Sequence, residues 1–260
     1  MRMYVFNARK AFKFMSIIMI MLIMLYVNAL SSDFMEVYLS KESGKKLPIY
    51  CIETADKNIA ITFDCAWGAD DIPRILKVLS ENNIKTTFFV VGQWAEKYPE
   101  AIKQMASEGH DIAMHGYTHT KMGQLNSEQI ISEVLNTKQI INKLTGKDTD
   151  LLRVPYGDYS NKVMTETEKL GCYVIQWDVD SLDWKSNMTK QDIIERVLSK
   201  TKNGSILLFH NDTKHTASII GEIIERLKQN GYNPVPVSQL IYKQNYYIDY
   251  NGKQHLNNKR

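Results

Sequence analysis

The feature that most constrains this chain is a repeated change of hydrophobic period. From residue 59 onward, short apolar runs rich in β-branched and aromatic residues recur at 59–63, 86–91, 111–115, 151–153, 172–177, 205–210 and 233–237. Between them lie stretches with apolar residues three and four apart: Ile72, Ile75, Leu76 and Leu79; Ile130, Ile131, Val134, Ile141 and Leu144; Ile193, Ile194, Val197 and Leu198; Ile219, Ile220, Ile223, Ile224 and Leu227. The first pattern is that of strands and the second that of helices. Strands joined by crossover helices run parallel and are covered on both faces, so they read as continuous apolar runs. Ser127 and Thr189, the latter with Asp192 three residues on, read as helix N-caps, and Gly109, Gly146, Gly171 and Gly231 fall just past helix ends. The expected fold class is α/β, a seven-stranded barrel-like parallel sheet, with an open doubly wound sheet as the alternative. No GxGxxG or GxxxxGK[ST] follows a strand, so the dinucleotide and P-loop forms of that alternative lack their phosphate-binding turn.

Ahead of this alternation, Arg2, Arg9, Lys10 and Lys13 precede an uncharged apolar stretch, 14–30, that ends near the small residue Ala29. A basic flank followed by an apolar segment reads as a signal peptide cleaved after Ala29 or as an uncleaved membrane anchor. On either reading the remainder is exported, to be membrane-anchored or secreted at the cell envelope. The expected organisation is residues 1–30 as signal or anchor, 31–57 as a connecting arm, 58–245 as the catalytic domain and 246–260 as a polar tail. Basic residues are scattered and the net charge is only +3, which argues against a nucleic-acid partner. Cys51, Cys65 and Cys172 share no CxxC spacing, so neither a disulfide framework nor a cysteine zinc finger is expected.

In parallel α/β sheets the chemistry gathers at the carboxyl ends of the strands. There this sequence places Asp64, then His115 and His119, Arg153, the trio Asp178, Asp180 and Asp183, and His210. Two histidines four apart suit a borderline divalent metal if a helical turn carries both. A carboxylate such as Asp64 beside a metal-bound water can accept its proton. Arg153 is placed to hold that carboxylate bidentately. His210 ends an apolar strand, where an aspartate of the preceding loop would make it a general acid.

In order, these residues resemble the polysaccharide deacetylases of carbohydrate esterase family 4, the NodB-homology group. The family's motifs appear as Thr62-Phe63-Asp64-Cys65, His115 to His119, Arg153-Val154-Pro155-Tyr156, Asp180-Ser181-Leu182-Asp183-Trp184 and Leu208-Phe209-His210. The resemblance implies a distorted (β/α)7-type barrel and metal-dependent de-N-acetylation of an N-acetylated envelope polysaccharide, with peptidoglycan the expected substrate. It implies a divalent ion, zinc with cobalt or manganese as alternatives, on His115 and His119. Asp64 would be the base held by Arg153, His210 the acid tuned by Asp180 or Asp183, and the Tyr156 amide an oxyanion donor, with Leu208 lining the site. Trp184, Trp67 and Tyr117 are candidates for stacking on sugar faces.

The departure from the family pattern is Cys65, which stands where a second, metal-ligating aspartate is usual. It is a further candidate ligand through its thiolate, or a small packed hydrophobe. Together with Ala66-Trp67 in place of the usual Gly-Pro, it is similar to the sporulation-associated and muramic acid deacetylase branch. The rival reading is a catalytically weak or inactive glycan-binding member that has lost its metal. A metallo-phosphoesterase would need two metals and more carboxylates than the sequence supplies.

Overall fold

The computed structural model describes residues 44–257, together with Met15, Met19 and Met21. The remainder of the segment read as signal or anchor, and the last three residues, lie outside the described residues. Among the described residues no helix is long and apolar enough to cross a membrane. Residues from Lys46 onward form one compact unit.

Within this unit the elements run β1 (Cys51–Ile52), β2 (Asn58–Cys65), α1 (Ile72–Glu81), β3 (Thr87–Val90), α2 (Gly92–Lys97), α3 (Pro99–Ser107), β4 (Asp111–Met114), α4 (Ser127–Thr145), β5 (Leu151–Leu152) and α5 (Asn161–Lys169). Then come β6 (Tyr173–Val174), β7 (Val179–Asp180), α6 (Lys190–Lys200), β8 (Ile206–His210), α7 (Thr216–Gln229), β9 (Asn233–Pro234), α8 (Val237–Leu240), β10 (Tyr246–Ile248) and β11 (Lys253–Leu256). Seven strands form a curled parallel half-barrel in the order β6-β5-β4-β3-β2-β8-β7, and β9 adds to the base of β2. The expected α/β class and barrel-like parallel sheet are therefore present. Strand period sets its two cores. Along β2, Ile59, Ile61, Phe63 and Cys65 pack toward the helices, whereas Ala60 joins a second cluster with Phe89, Ala113, Ile175 and Ile206 inside the curl.

The run at 172–177 is not one strand. Only Tyr173–Val174 of it is strand, β6 on one edge of the sheet, and β7 on the other edge lies beyond the run at Val179–Asp180. The gap is bridged by the chain just before β1: Ile49 forms a parallel bridge with Ile175, and Cys51 an antiparallel bridge with Ser205. Part of the segment expected to be a connecting arm is thus built into the fold, with Ile49 and Ile52 buried. The expected polar tail likewise contains β10 and β11, which pair with each other and, through β11, with β1. Thr189 caps α6 through a capping box with Asp192, as expected, but α4 is capped by Asn126, with Gln129 completing its box, rather than by Ser127.

Candidate active site

Asp64 and His210 end neighbouring strands in register, β2 beside β8, so the expected base and acid meet at one rim of the half-barrel. Asp64 points into the curl, opposite to Cys65. Arg153, fully buried after β5, donates from Nη1 to Asp64 Oδ1 at 2.6 Å and to Thr62 Oγ1 at 2.9 Å, and from Nη2 to the Gln176 carbonyl at 3.1 Å. Its guanidinium lies 4.0 Å over the Phe89 ring. The expected bidentate clamp is therefore a single-oxygen contact: Nη1 is shared with Thr62, Nη2 turns to the Gln176 carbonyl, and Nε has no hydrogen-bond partner. Asp64 Oδ2 faces His115 Nε2 at 3.4 Å. Burial pushes the Asp64 carboxyl up, but the neighbouring Arg153, His115 and His210 outweigh it and hold the group below its ordinary range.

His115 and His119 are brought together with ring centroids 5.1 Å apart, though not by a helical turn. Gly116 at φ 70° and His119 at φ 58° fold the segment into a tight loop. His115 Nδ1 lies 2.8 Å from the Arg153 carbonyl, which can only accept; the ring proton sits there and leaves the Nε2 lone pair free. His119 Nδ1 bonds to the Tyr156 hydroxyl at 3.2 Å, leaving Nε2 as its remaining ring nitrogen. Burial depresses the pKa of both rings, that of His119 to about 4 with help from neighbouring His115, so both are neutral near pH 7. Two neutral imidazoles with their other nitrogens engaged have the form of metal-ligating histidines.

Asp183 supports His210. Its Oδ1 lies 2.8 Å from His210 Nδ1, while Oδ2 accepts from the His210 amide at 2.8 Å and from Thr216 Oγ1 at 2.6 Å. Asp180 instead takes the Leu182 amide at 2.8 Å, although it still lines the cleft. Asp178 is outside the site: its carboxylate accepts from Ser205 Oγ and the Ile206 amide at the far end of β8. Burial works against protonation of His210, but the Asp183 hydrogen bond and the charges of Asp183, Asp64 and Asp180 raise its pKa.

These groups open into a cleft of about 490 Å³, whose walls include Trp67, Tyr156, Trp177, Trp184 and Leu208. Trp67, Tyr156 and Trp184 are largely exposed there, as sugar-stacking faces need to be. Trp177 is an addition that sequence reading missed, since it looked like the end of a core strand. Tyr117, an expected stacking residue, is not among the walls of this cleft; its hydroxyl donates to Glu96 at 3.1 Å.

Cys65 is fully buried in the helix-facing core beside Phe63, because a residue directly after Asp64 on a strand faces the other way. Burial, and then the nearby Asp64 and Asp71 charges, push its thiol pKa well up. Its placement is that of a packed hydrophobe, and no group of three or more His, Cys, Asp or Glu side chains converges on a metal position among the described residues. The donors that remain for a divalent ion are the two neutral imidazoles of His115 and His119, without a third from Cys65.

A family model described as polysaccharide deacetylase matches residues 52–175. The chain is 32% identical over 197 residues to the peptidoglycan-N-acetylmuramic acid deacetylase PdaA of Bacillus subtilis, covering 75% of each chain. It is 32% identical over 177 residues to a peptidoglycan-N-acetylglucosamine deacetylase of Bacillus cereus, covering 66% of this chain and 64% of that one. Among solved structures, BA3943 of Bacillus anthracis, a CE4 family pseudoenzyme, superposes with a TM-score of 0.72 at 27% identity, covering 80% of this chain and 72% of that one. On the strength of the PdaA match, and of the curled parallel sheet that carries the site, the chain belongs to the polysaccharide deacetylase family.

Proposed function

We propose that this protein hydrolyses the acetamide of an N-acetylated sugar in peptidoglycan, releasing acetate and leaving a free amine on the glycan. The observation that carries this reading is the pairing across one cleft of an ionised carboxylate, Asp64 held by Arg153, with an imidazole favoured in its protonated form, His210 held by Asp183. Groups whose environments push their pKa values apart are suited to opposite proton-transfer roles. Asp64 takes a proton from the attacking water as its oxygen adds to the carbonyl carbon. His210 protonates the nitrogen as the carbon–nitrogen bond breaks. His115 and His119 would hold a divalent ion, zinc or one of the alternatives cobalt and manganese, whose Lewis acidity favours hydroxide and polarises the carbonyl. The backbone amide of Tyr156 is the proposed donor to the oxyanion, and Trp184, with Trp67, stacks on the sugar. Delivery to the envelope follows the proposed N-terminal signal or anchor.

The packing of Cys65 and the likeness to a CE4 pseudoenzyme favour one second reading, a glycan-binding member with little turnover. Acetate release from peptidoglycan, measured on protein of known zinc content, separates the two. Turnover lost on chelation and restored by zinc supports the hydrolase. Glycan binding without acetate release at full zinc loading supports the binding module.

A further inference from the structure

Among the described residues, Glu133 is a buried acidic side chain outside the proton-transfer pair that touches the histidine loop. It lies on α4, is only 8% exposed, and projects its carboxylate under residues 116–118. Oε2 accepts from the amides of Tyr117 and Thr118 at 2.6 and 2.9 Å, and Oε1 accepts from Thr118 Oγ1 at 2.7 Å. The same stretch is held from its other side. The carbonyls of Gly116 and Tyr117 accept from the amides of Gly92 and Gln93, at the start of α2, at 2.9 and 3.0 Å. Two consecutive peptide planes are therefore each fixed at both ends, the carbonyl by α2 and the N–H by Glu133. The fit is tight: a Cβ on Gly92 would sit 2.5 Å from Tyr117 Cδ2, and one on Gly116 would sit 3.1 Å from Glu133 Oε2.

The residue that follows these planes is His119, held at φ 58°. A non-glycine residue in that region costs about 1–2 kcal/mol. It stays there only where the surroundings over-determine it. Charge-assisted bonds from a buried carboxylate are strong enough for that task, whereas each neutral bond to α2 is worth about half as much. We infer that Glu133 is a positioning residue: it locks the loop so that the His119 ring is presented beside His115 for a divalent metal. This rests on the deacetylase reading for its consequence in turnover, but not for its consequence in metal binding.

The test compares Glu133→Ala and Glu133→Gln with Asp111→Ala, a half-buried carboxylate with equally many bonds at the opposite end of β4, accepting from Thr87 Oγ1, the Ser238 amide and Ser238 Oγ. Zinc affinity is read by competition with a chromogenic chelator, and turnover by acetate release. Glu133→Ala is expected to weaken zinc binding by about tenfold or more, the usual scale for a residue that orients a ligand. It should lower kcat with little change in KM. Glu133→Gln keeps a carbonyl for both amides but loses the charge, and its affinity should fall between those of Glu133→Ala and wild type. Asp111→Ala should lower the melting temperature while leaving zinc affinity and kcat at wild-type values. Should Glu133→Ala not fold, Thr118→Val takes its place, with a severalfold loss of zinc affinity expected and no loss overturning the proposal. It is also overturned if Glu133→Ala binds zinc like wild type, if Glu133→Gln is as impaired as Glu133→Ala, or if wild type binds no zinc. A wild type that binds zinc but releases no acetate refutes the proposed function and leaves the affinity comparison standing.

Discussion

Buried and half-buried polar groups occur at both ends of the half-barrel, and the two ends treat them differently. At the amino ends of the strands, Asp111 and Asp178 have both carboxylate oxygens occupied by hydroxyls and backbone amides, and these bonds tie α8 to β4 and the β7 region to β8. At the carboxyl ends, Asp64 keeps one oxygen turned to the cleft, and His115 and His119 each have one nitrogen engaged and one left over. The backbone differs in the same sense. Among the described residues, the non-glycine positions at positive φ away from the rim are Asn83 and Asn245, a type that tolerates this region, whereas the rim holds Tyr156 and Leu182 there besides the more tolerant His119 and Asp212. One end stitches the fold; the other holds strained backbone and turns donor atoms to the cleft, as active sites do.

The largest effect expected is at the Asp64–Arg153 pair. Asp64→Asn should abolish measurable acetate release, and because it leaves a fully buried guanidinium without its charge partner, it should also cost about 3–5 kcal/mol of stability by urea unfolding. Adding Arg153→Met should return part of that stability and none of the activity. If the double variant regains turnover, the pair belongs to the stitching class and the contrast between the two ends fails.

Next comes Asp183. Asp183→Asn removes the group that raises the His210 pKa, so the alkaline limb of the kcat/KM profile should move to lower pH, and the rate at neutral pH should fall by about 10²–10⁴, the scale for one acid–base group. Asp180→Asn, which removes a smaller charge contribution and no hydrogen bond to the ring, should move that limb in the same direction by less. An unchanged limb in Asp183→Asn would remove His210 from the role of acid.

The amino end offers a stability effect with no catalytic counterpart. His110 is buried; its Nδ1 accepts the Thr86 amide at 3.1 Å, and its Nε2 has no hydrogen-bond partner, the nearest carboxylate oxygen being Glu108 Oε2 at 3.9 Å. Burial, and then the Lys85 charge, depress its pKa from 6.5 to about 4. The unfolded chain therefore binds the proton more readily than the folded one between these values. The contribution to stability is complete above about pH 6.5 and is lost as pH falls toward about 4, amounting in full to about 3 kcal/mol. Urea unfolding of wild type and His110→Gln at pH 7 and pH 5 should show the wild type losing more. Equal losses would mean that His110 is accessible to protons in the folded state.

Much of this division is legible in the amino-acid sequence. Asp64, His115, Arg153 and His210 stand where apolar runs end, and the rule that parallel strands deliver chemistry at their carboxyl ends brings them together. The features that sequence does not disclose depend on long-range pairing or on single dihedral angles. Nothing local marks residues 49–51 as the bridge between β6 and β8, or 246–256 as a hairpin that pairs with β1, because their partners lie far along the chain. Asp180 and Asp183 are equivalent by spacing, and the turn at Leu182, with φ 59°, decides which one reaches His210. The HxxxH spacing suggests a helical turn, yet the loop at Gly116 and His119 converges the rings by a different route.

The smallest expected effect is also the sharpest on where the two environments divide, because it concerns the residue next to Asp64. Strand alternation sends Asp64 into the curl and Cys65 into the helix-side core, where it packs with Phe63 and Ile61. Cys65→Ala removes one sulfur from a packed site and should cost about 1 kcal/mol of stability. Zinc affinity should stay within a few-fold of wild type, since His115 and His119 are untouched. Cys65→Asp places a carboxylate among apolar side chains and should destabilise far more than the alanine variant, unless the strand end rotates to bring the new group to the cleft. That rotation has its own signature, a gain in zinc affinity together with preserved stability. A tenfold loss of zinc affinity in Cys65→Ala would place the thiol among the ligands, and the boundary between packing and chemistry would then run after Cys65 rather than between it and Asp64.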